Sequence, residues 1–308
     1  MRENIESKGA PKGRAANPKA QTSLRTKAKT KNFTSKMLIY AILITATMLA
    51  LFPVFYTLMG SLQTNQELIA NPSQIIPQVF MFENYSMAWE MANFSQFAFN
   101  SLYMSFFIVV GSIITCSIAA YVFERGKFKG KEVIFTIFLS SMFVSVGSLT
   151  LYPILVIART LGMNRSLWGL IIIRVLGLNI ANLLIARSYI STIPKELDEA
   201  AKIDGCSFFT TFIHVILPIL KPLIATVGIL EFRSAWNDYL MPLAFTMATP
   251  ARQPLIVGVL SLRASAEGAT NWSLMLAGTS ISIIPMILVF IFFNQYFIDG
   301  LTAGSVKG

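Results

Sequence analysis

The sequence predicts an all-α fold: a polytopic membrane protein of six transmembrane helices with both termini cytoplasmic. Three observations carry that prediction. Of the 308 residues, 54% are apolar and only 13% charged, about half the charged share of an ordinary soluble domain. Several apolar runs reach the roughly 20 residues needed to cross a hydrocarbon core about 30 Å thick. The basic residues also gather at alternate connections, which orients the spans by the positive-inside rule.

Taken in order, residues 1–36 form a basic tail. It holds ten Lys/Arg against Glu3 and Glu6, and so supplies +8 of the net charge of +10. Rich in Ser, Thr, Lys, Ala and Gly without apolar periodicity, it is expected to be disordered. It reads as a topology signal or as a patch adhering to anionic lipid, not as a nucleic-acid site. A membrane domain is expected over 37–298. Its first span is 37–61, with Pro53 tolerated among neighbouring helices. Residues 62–98 contain no Lys or Arg, only Glu67, Glu83 and Glu90, and are assigned outside. There Pro72, Pro77, Phe80, Phe82, Tyr85 and Trp89 point to a short helical cap. The second span, 99–123, runs into Glu124, Arg125, Lys127, Lys129 and Lys131, the second strong inside signal. The third, 133–157, leads to a connection with Arg159 and Arg165 that the span count places outside. The fourth, 168–190, carries Arg174 within its pattern and Arg187 near its inner end. An inner loop over 192–218 precedes the fifth span, 219–246, the least apolar of the six. Residues 246–271 form an outer loop, 273–297 the sixth span, and 299–308 a cytoplasmic tail.

Much chemistry is excluded by what the motifs lack. No GxxxxGK[ST] phosphate loop occurs, so the chain by itself cradles no nucleotide. Cys116 and Cys206 are predicted at different depths, and His214 has no metal-ligand company, so neither a disulfide framework nor a metal site is expected. No nucleophile–base pairing stands out, and no span carries the row of carboxylates of a proton or sodium relay. An enzyme is not expected. Energy for any transport would come from a partner.

The inner loop is the unusual stretch. Glu196, Asp198, Glu199 and Asp204 lie within nine positions. Thr192 is expected to cap a helix with Pro194 in its first turn, and the acidic residues suit the positive end of the helix dipole. Leu197, Ala200, Ala201 and Asp204 share a face by i, i+3, i+4 spacing, and Gly205 fits a left-handed stop. Ser207 is placed to cap a second short helix whose Phe208, Phe209, Phe212 and Ile213 form an apolar patch. Two readings follow: a membrane-surface elbow with its phenylalanines in lipid, or a protrusion docking into a cytoplasmic protein.

The stretch EAAKIDGCSFFTTFIHVILPILKP (199–222) resembles the EAA loop of ABC importer permeases. Glu199, Ala200, Ala201, Asp204, Gly205, Leu217, Pro218 and Pro222 match that pattern, with Val215 in place of its Ile. FENYSMAW (82–89), NSLYMS (100–105), AAYVFERGKFKGK (119–131), WNDYLMPLAF (236–245) and GLTAGSVKG (300–308) look like the maltose-type carbohydrate branch, and the last like its second permease subunit. One departure falls in the third span, where Val144 and Thr150 stand at positions that usually carry proline. The resemblance implies a permease pairing with a second permease across a pseudo-two-fold axis. It further implies a dimeric cytoplasmic ATPase, which holds the ATP and Mg, and an extracytoplasmic solute-binding protein, all in the cytoplasmic membrane of a bacterium or archaeon. It also assigns residues. Glu199, Ala200, Ala201, Asp204, Gly205, Ser207, Phe208, Phe209 and Phe212 would contact the ATPase, with Gly304 and Lys307 in the tail reaching the same interface.

For a substrate pathway, Trp236, Asn237 and Asp238 are the first candidates, followed by Tyr152 and Asn179. Polar groups at membrane depth cost free energy and tend to face a cavity or a partner. Pairing of Glu231, Arg233 and Asp238 with each other or with the other subunit near the membrane surfaces is the competing explanation. Two other functions stay open: a permease for another solute class, and an ion-coupled secondary transporter.

Overall fold

The computed structural model describes residues 18–144, 147–262 and 270–303. Gly304 and Lys307 lie outside the described residues. All regular elements among them are helical. The chain divides into two compact units, residues 1–56 and 57–308.

Most of the first unit belongs to α1 (Pro18–Gly60). It starts nineteen residues before the expected span, so 18–36, expected to be disordered, are helical. Pro18 occupies the first helical position, where its missing N–H costs nothing, and Ala, Lys, Gln and Arg that follow are good helix formers. The apolar part, Lys36–Gly60, is long enough to cross a bilayer.

In the second unit, α2 (Asn65–Ala70) opens with a capping box: Thr64 accepts from the Glu67 N–H, and the Glu67 side chain accepts from the Thr64 N–H. Next come α3 (Glu83–Met91), α4 (Phe94–Arg125), α5 (Lys131–Ser141) and α6 (Leu151–Thr160). The pair α7 (Leu167–Leu176) and α8 (Ile180–Ser191) is followed by α9 (Glu196–Ile203) and α10 (Phe208–Thr211). A π-helical turn, Phe212–Ile216, joins α10 to α11 (Leu217–Ile219) and α12 (Lys221–Trp236). The chain then runs through α13 (Leu240–Thr246), α14 (Leu255–Ser261) and α15 (Trp272–Ala303).

Among the described residues three helices are long and apolar enough to span a membrane: Lys36–Gly60, Phe94–Arg125 and Trp272–Gln295. Two bent pairs raise the number to five. α7 and α8 meet at 44°, and Phe208–Ile219 meets α12 at 80°. The expected fourth span is therefore kinked, where Gly177 ends α7, Leu178 takes φ +41° and Asn179 caps α8. The expected fifth span ends ten residues early, at Trp236, and resumes as α13 after residues 237–239. The expected third span, 133–157, is divided into α5 and α6 by the segment after Ser141. At 1.5 Å per residue, each piece covers only about 15 Å. Gly147, at φ +56°, lies in that interruption.

α4 is the axis of the unit. It packs on α12, α8 and α7 and contributes to three apolar clusters. Phe94 and Phe97 join Trp236, Leu255 and Leu274 at one end. Met104 and Ile108 meet Leu170, Ile171 and Phe245 in the middle. Cys116, Ala120 and Tyr121 meet Leu183, Ile190, Phe212 and Ile216 at the other. Buried Ser101, Ser105, Ser112 and Ser117 keep its contacting faces slim, as membrane helices that pack closely require. At Gly258 the Phe97 ring sits where a Cβ would stand, so only glycine lets α14 approach α4 there.

Polar side chains peg the connections. Buried Asn84 donates to Ser61 O at 2.8 Å and Gln63 O at 2.9 Å. Asn100 donates to Ala251 O at 3.0 Å and Gln253 O at 2.9 Å, while Ser101 Oγ accepts from Leu255 N–H at 2.8 Å. Asn84 of FENYSMAW and Asn100 and Ser101 of NSLYMS thus anchor backbone of other segments.

Candidate functional site

The inner loop folds as an elbow of two short helices. α9 begins at Glu196, one residue past Lys195, with no side-chain cap. Thr192, expected to cap it, instead donates its hydroxyl to Tyr189 O at 2.7 Å and closes α8. Pro194 sits outside the helix, because residues 193–195 make the turn between α8 and α9. The first turn still holds Glu196, Asp198 and Glu199.

The stop after α9 forms as the spacing required. Gly205 has φ +83°, its N–H bonds Lys202 O at 3.1 Å, and the Cys206 N–H bonds Ala201 O at 2.9 Å. This is the Schellman arrangement, in which a left-handed residue satisfies the last carbonyls. Ser207 then caps α10, accepting from the Thr210 N–H at 3.2 Å. The apolar patch is split. Phe212 is buried and Phe208 packs beside it, their ring centroids 5.1 and 4.6 Å from Tyr121 of α4. Phe209 and Ile213 remain exposed. On α9 only Ala201 is buried; Glu199, Ala200 and Asp204 face outward. His214 lies in the π turn, its Nδ1 3.1 Å from Thr210 O.

The elbow is moored to the end of α4. Arg125 Nε lies 3.0 Å from Asp198 Oδ2 as an ion pair, and its Nη2 donates to Ile190 O and Ile193 O. Tyr121 Oη donates to Asp198 Oδ1 at 2.9 Å. Next to it, Arg187 of α8 bridges Glu124 at 3.2 Å and Glu132 at 2.8 Å, with its guanidinium 4.0 Å over the Phe135 ring. A cleft of about 1000 Å³ opens between α4 and the elbow. Lys127, Lys131, Lys195 and Lys202 line it, with Glu124 and Glu199 as counter-charges.

A second polar cluster lies at the α7–α8 kink. Arg174 Nη1 binds Asp238 Oδ2 at 2.8 Å, and its Nη2 binds Ser234 Oγ at 2.8 Å and approaches Glu231 Oε2 at 3.6 Å. Asn179 and Asn182 both donate to Glu231 Oε1, at 2.8 and 2.6 Å. Glu231 is 2% exposed, and burial of a carboxyl is tolerable only where donors such as these meet its oxygens.

Of the pathway candidates, Asn179 and Asp238 meet here. Trp236 does not: its ring is buried and its Nε1 donates to Ser282 O at 3.0 Å. Asn237 turns back to Arg233 O at 2.9 Å. Tyr152 is exposed on α6, away from these contacts. The carboxylates pair with Arg174 and not with Arg233, because Arg174 comes from another helix at the kink. Arg174 and Asn182 are the residues that sequence spacing missed. Among the described residues no group of three His, Cys, Asp or Glu could hold a metal ion.

A family model described as "Binding-protein-dependent transport system inner membrane component" matches residues 112–302. The chain is 31% identical over 283 residues to the galactooligosaccharides transport system permease protein of Bacillus subtilis (strain 168), covering 91% of this chain and 98% of that protein. It is 31% identical over 265 residues to the arabinooligosaccharides transport system permease protein of the same organism, covering 85% and 92%. It is also 31% identical over 259 residues to the sulfoquinovosyl glycerol transport system permease protein of Agrobacterium fabrum, covering 84% and 89%. In fold it resembles a chain of a bacterial ABC transporter involved in the import of the acidic polysaccharide alginate. That likeness has a TM-score of 0.72 at 22% identity, over 87% of this chain and 98% of the other.

Proposed function

The chain belongs to the family of binding-protein-dependent transport system inner membrane components, and from that premise we propose that it is the permease subunit of an ATP-driven carbohydrate importer. As a member of that family it is a transport subunit of the cytoplasmic membrane and not an enzyme. The observation that carries the reading is the elbow itself. Its EAA pattern folds into two short helices, the first closed by the left-handed Gly205 and the second capped by Ser207, with Glu199, Phe209 and Ile213 facing outward. An outward acidic residue beside exposed apolar ones, next to a basic-lined cleft, suits a groove in a second protein.

In this reading a separate dimeric ATPase grips the elbow and holds ATP and Mg. A second permease completes the pathway, and an extracytoplasmic binding protein delivers solute. ATP-driven closure of the ATPase draws the elbow inward and rocks the spans from one opening to the other, shifting the population between two states. The chain crosses six times, with α5 and α6 together forming a broken third span and both termini inside. The oligosaccharide permeases among its relatives support a carbohydrate as cargo.

The test has two arms. Affinity purification of this chain from cells expressing its genomic neighbours should retain a nucleotide-binding protein, and Glu199→Lys should release it. A glycan screen of the associated solute-binding protein should return an oligosaccharide. Uptake driven by an ion gradient in proteoliposomes containing this chain alone would overturn the ATP-driven reading, and a non-carbohydrate ligand would overturn the cargo.

A further inference from the structure

The bonds at the end of α4 converge on a single carboxylate. Both oxygens of Asp198 are held by α4, Oδ2 by Arg125 at 3.0 Å and Oδ1 by Tyr121 at 2.9 Å. Arg125 and Tyr121 are four apart, so they stand one turn above each other on the same face. The guanidinium also gathers the carbonyls of Ile190 and Ile193, where α8 ends. The Tyr121 ring meets Phe208 and Phe212 beyond the Gly205 hinge. One turn of α4 thereby touches α8, α9, α10 and the π turn. Attachments at several points off a single line fix orientation as well as distance.

Burial says what kind of joint this is. The Arg125 side chain is 6% exposed and that of Asp198 20%. Arg125 Nε and Asp198 Oδ2 face each other as charges without the alignment of a hydrogen bond, and Arg125 Nη1 is buried with no hydrogen-bond partner. A buried pair with incompletely used donors is a poor source of net stability, because desolvation offsets the attraction. Its well-attested use is to fix register. The free side of α9 is different: Ile203 is 87% exposed.

We propose that Arg125, with Tyr121, is a positioning residue that makes the elbow and this end of α4 move as one body. Motion imposed on the elbow then enters the membrane through α4 as well as along the chain into α12. Since α4 belongs to all three apolar clusters, it distributes that motion to the α7–α8 pair and to α14 and α15. This inference rests on the ATPase-coupled reading given above.

Spin labels at Ile203→Cys on α9 and Ile114→Cys on α4, both exposed positions, test it in the purified complex with its ATPase and partner permease. Cys116→Ala and Cys206→Ser remove the native thiols. The distance between labels is compared in the nucleotide-free and ATP–vanadate-trapped complex. With Arg125 and Asp198 intact it should stay constant within about 2 Å, the scale of small helix shifts. Asp198→Asn, which keeps shape and still accepts from Tyr121, should shift or broaden it on trapping by about 5 Å, roughly one helical turn. Tyr121→Phe should give a smaller change, and Asp198→Glu should restore the narrow distribution. ATPase stoichiometry in every variant shows that the complex still assembles. A distance that changes on trapping with the pair intact, or variants as narrow as the parent, overturns the inference alone. If no ATPase accompanies even the parent chain, the coupling reading falls, and this inference with it.

Discussion

Gly205 and Glu231 show how differently single residues act here. Gly205 needs nothing from its neighbours, since no atom lies within 4 Å of where its Cβ would be; its φ of +83° is what excludes other residues. Gly205→Ala should cost about 1–2 kcal/mol of local conformational energy and lower uptake partially. Gly205→Pro should abolish uptake, because proline cannot take positive φ, and surface labelling should find membrane insertion unchanged. Glu231 depends wholly on its partners. Glu231→Ala strands the amides of Asn179 and Asn182 and one side of Arg174, so thermal unfolding in detergent should report a loss of about 3–5 kcal/mol. A denaturation midpoint equal to that of the parent would show that water already satisfies these groups. Gly205 was legible because positive φ has a local sequence signature. The Arg174 cluster was half legible. Asn179 and Asp238 stood out as polar residues in apolar runs, but Arg174 and Glu231 are 57 positions apart, and no periodicity links residues across helices.

The helices were legible in kind and less so in extent. Hydropathy located α4 and α15, which are continuous, and overran every break. An apolar run does not say whether its helix is whole, because a kink at Leu178 or a stop at Trp236 leaves mean hydropathy unchanged. Such breaks arise from backbone conformation and cross-helix bonds. The elbow was read better, since capping is local chemistry, although Thr192 was misassigned because a threonine just after one helix and just before another can close either. Ser207→Ala removes the one side-chain cap of α10 and should cost about 1 kcal/mol. Ser207→Asp should recover it. If α10 guides docking, ATPase retention on the affinity column follows the same order, whereas equal retention in all three would show that docking ignores the cap.

For the whole molecule, orientation was read from charge. Lys127, Lys129 and Lys131 follow α4 directly, and this excess of basic residues should hold the α4–α5 connection inside. Replacing all three with Gln should produce a mixed population in which a cysteine at Phe128 reacts with an impermeant thiol reagent from both sides of the membrane. Reaction from the cytoplasmic side alone would show that the basic tail suffices. Removing residues 303–308 should weaken ATPase retention if the tail reaches that interface, and unchanged retention would mark it as a free end.

The 80° angle between Phe208–Ile219 and α12 makes this stretch a crank. Its short arm of twelve residues is about 18 Å long. A sideways push of about 2 Å at the tip turns the long arm about its own axis by about 6°. At a side-chain radius of about 6 Å, that rotation displaces Glu231 by about 0.6 Å, enough to stretch the 2.8 Å hydrogen bond from Asn179 past the usual limit of about 3.2 Å and to bring the 2.6 Å bond from Asn182 up to it. In the ATPase-coupled reading, a small torque at the elbow would thus loosen the polar cluster held by the same helix.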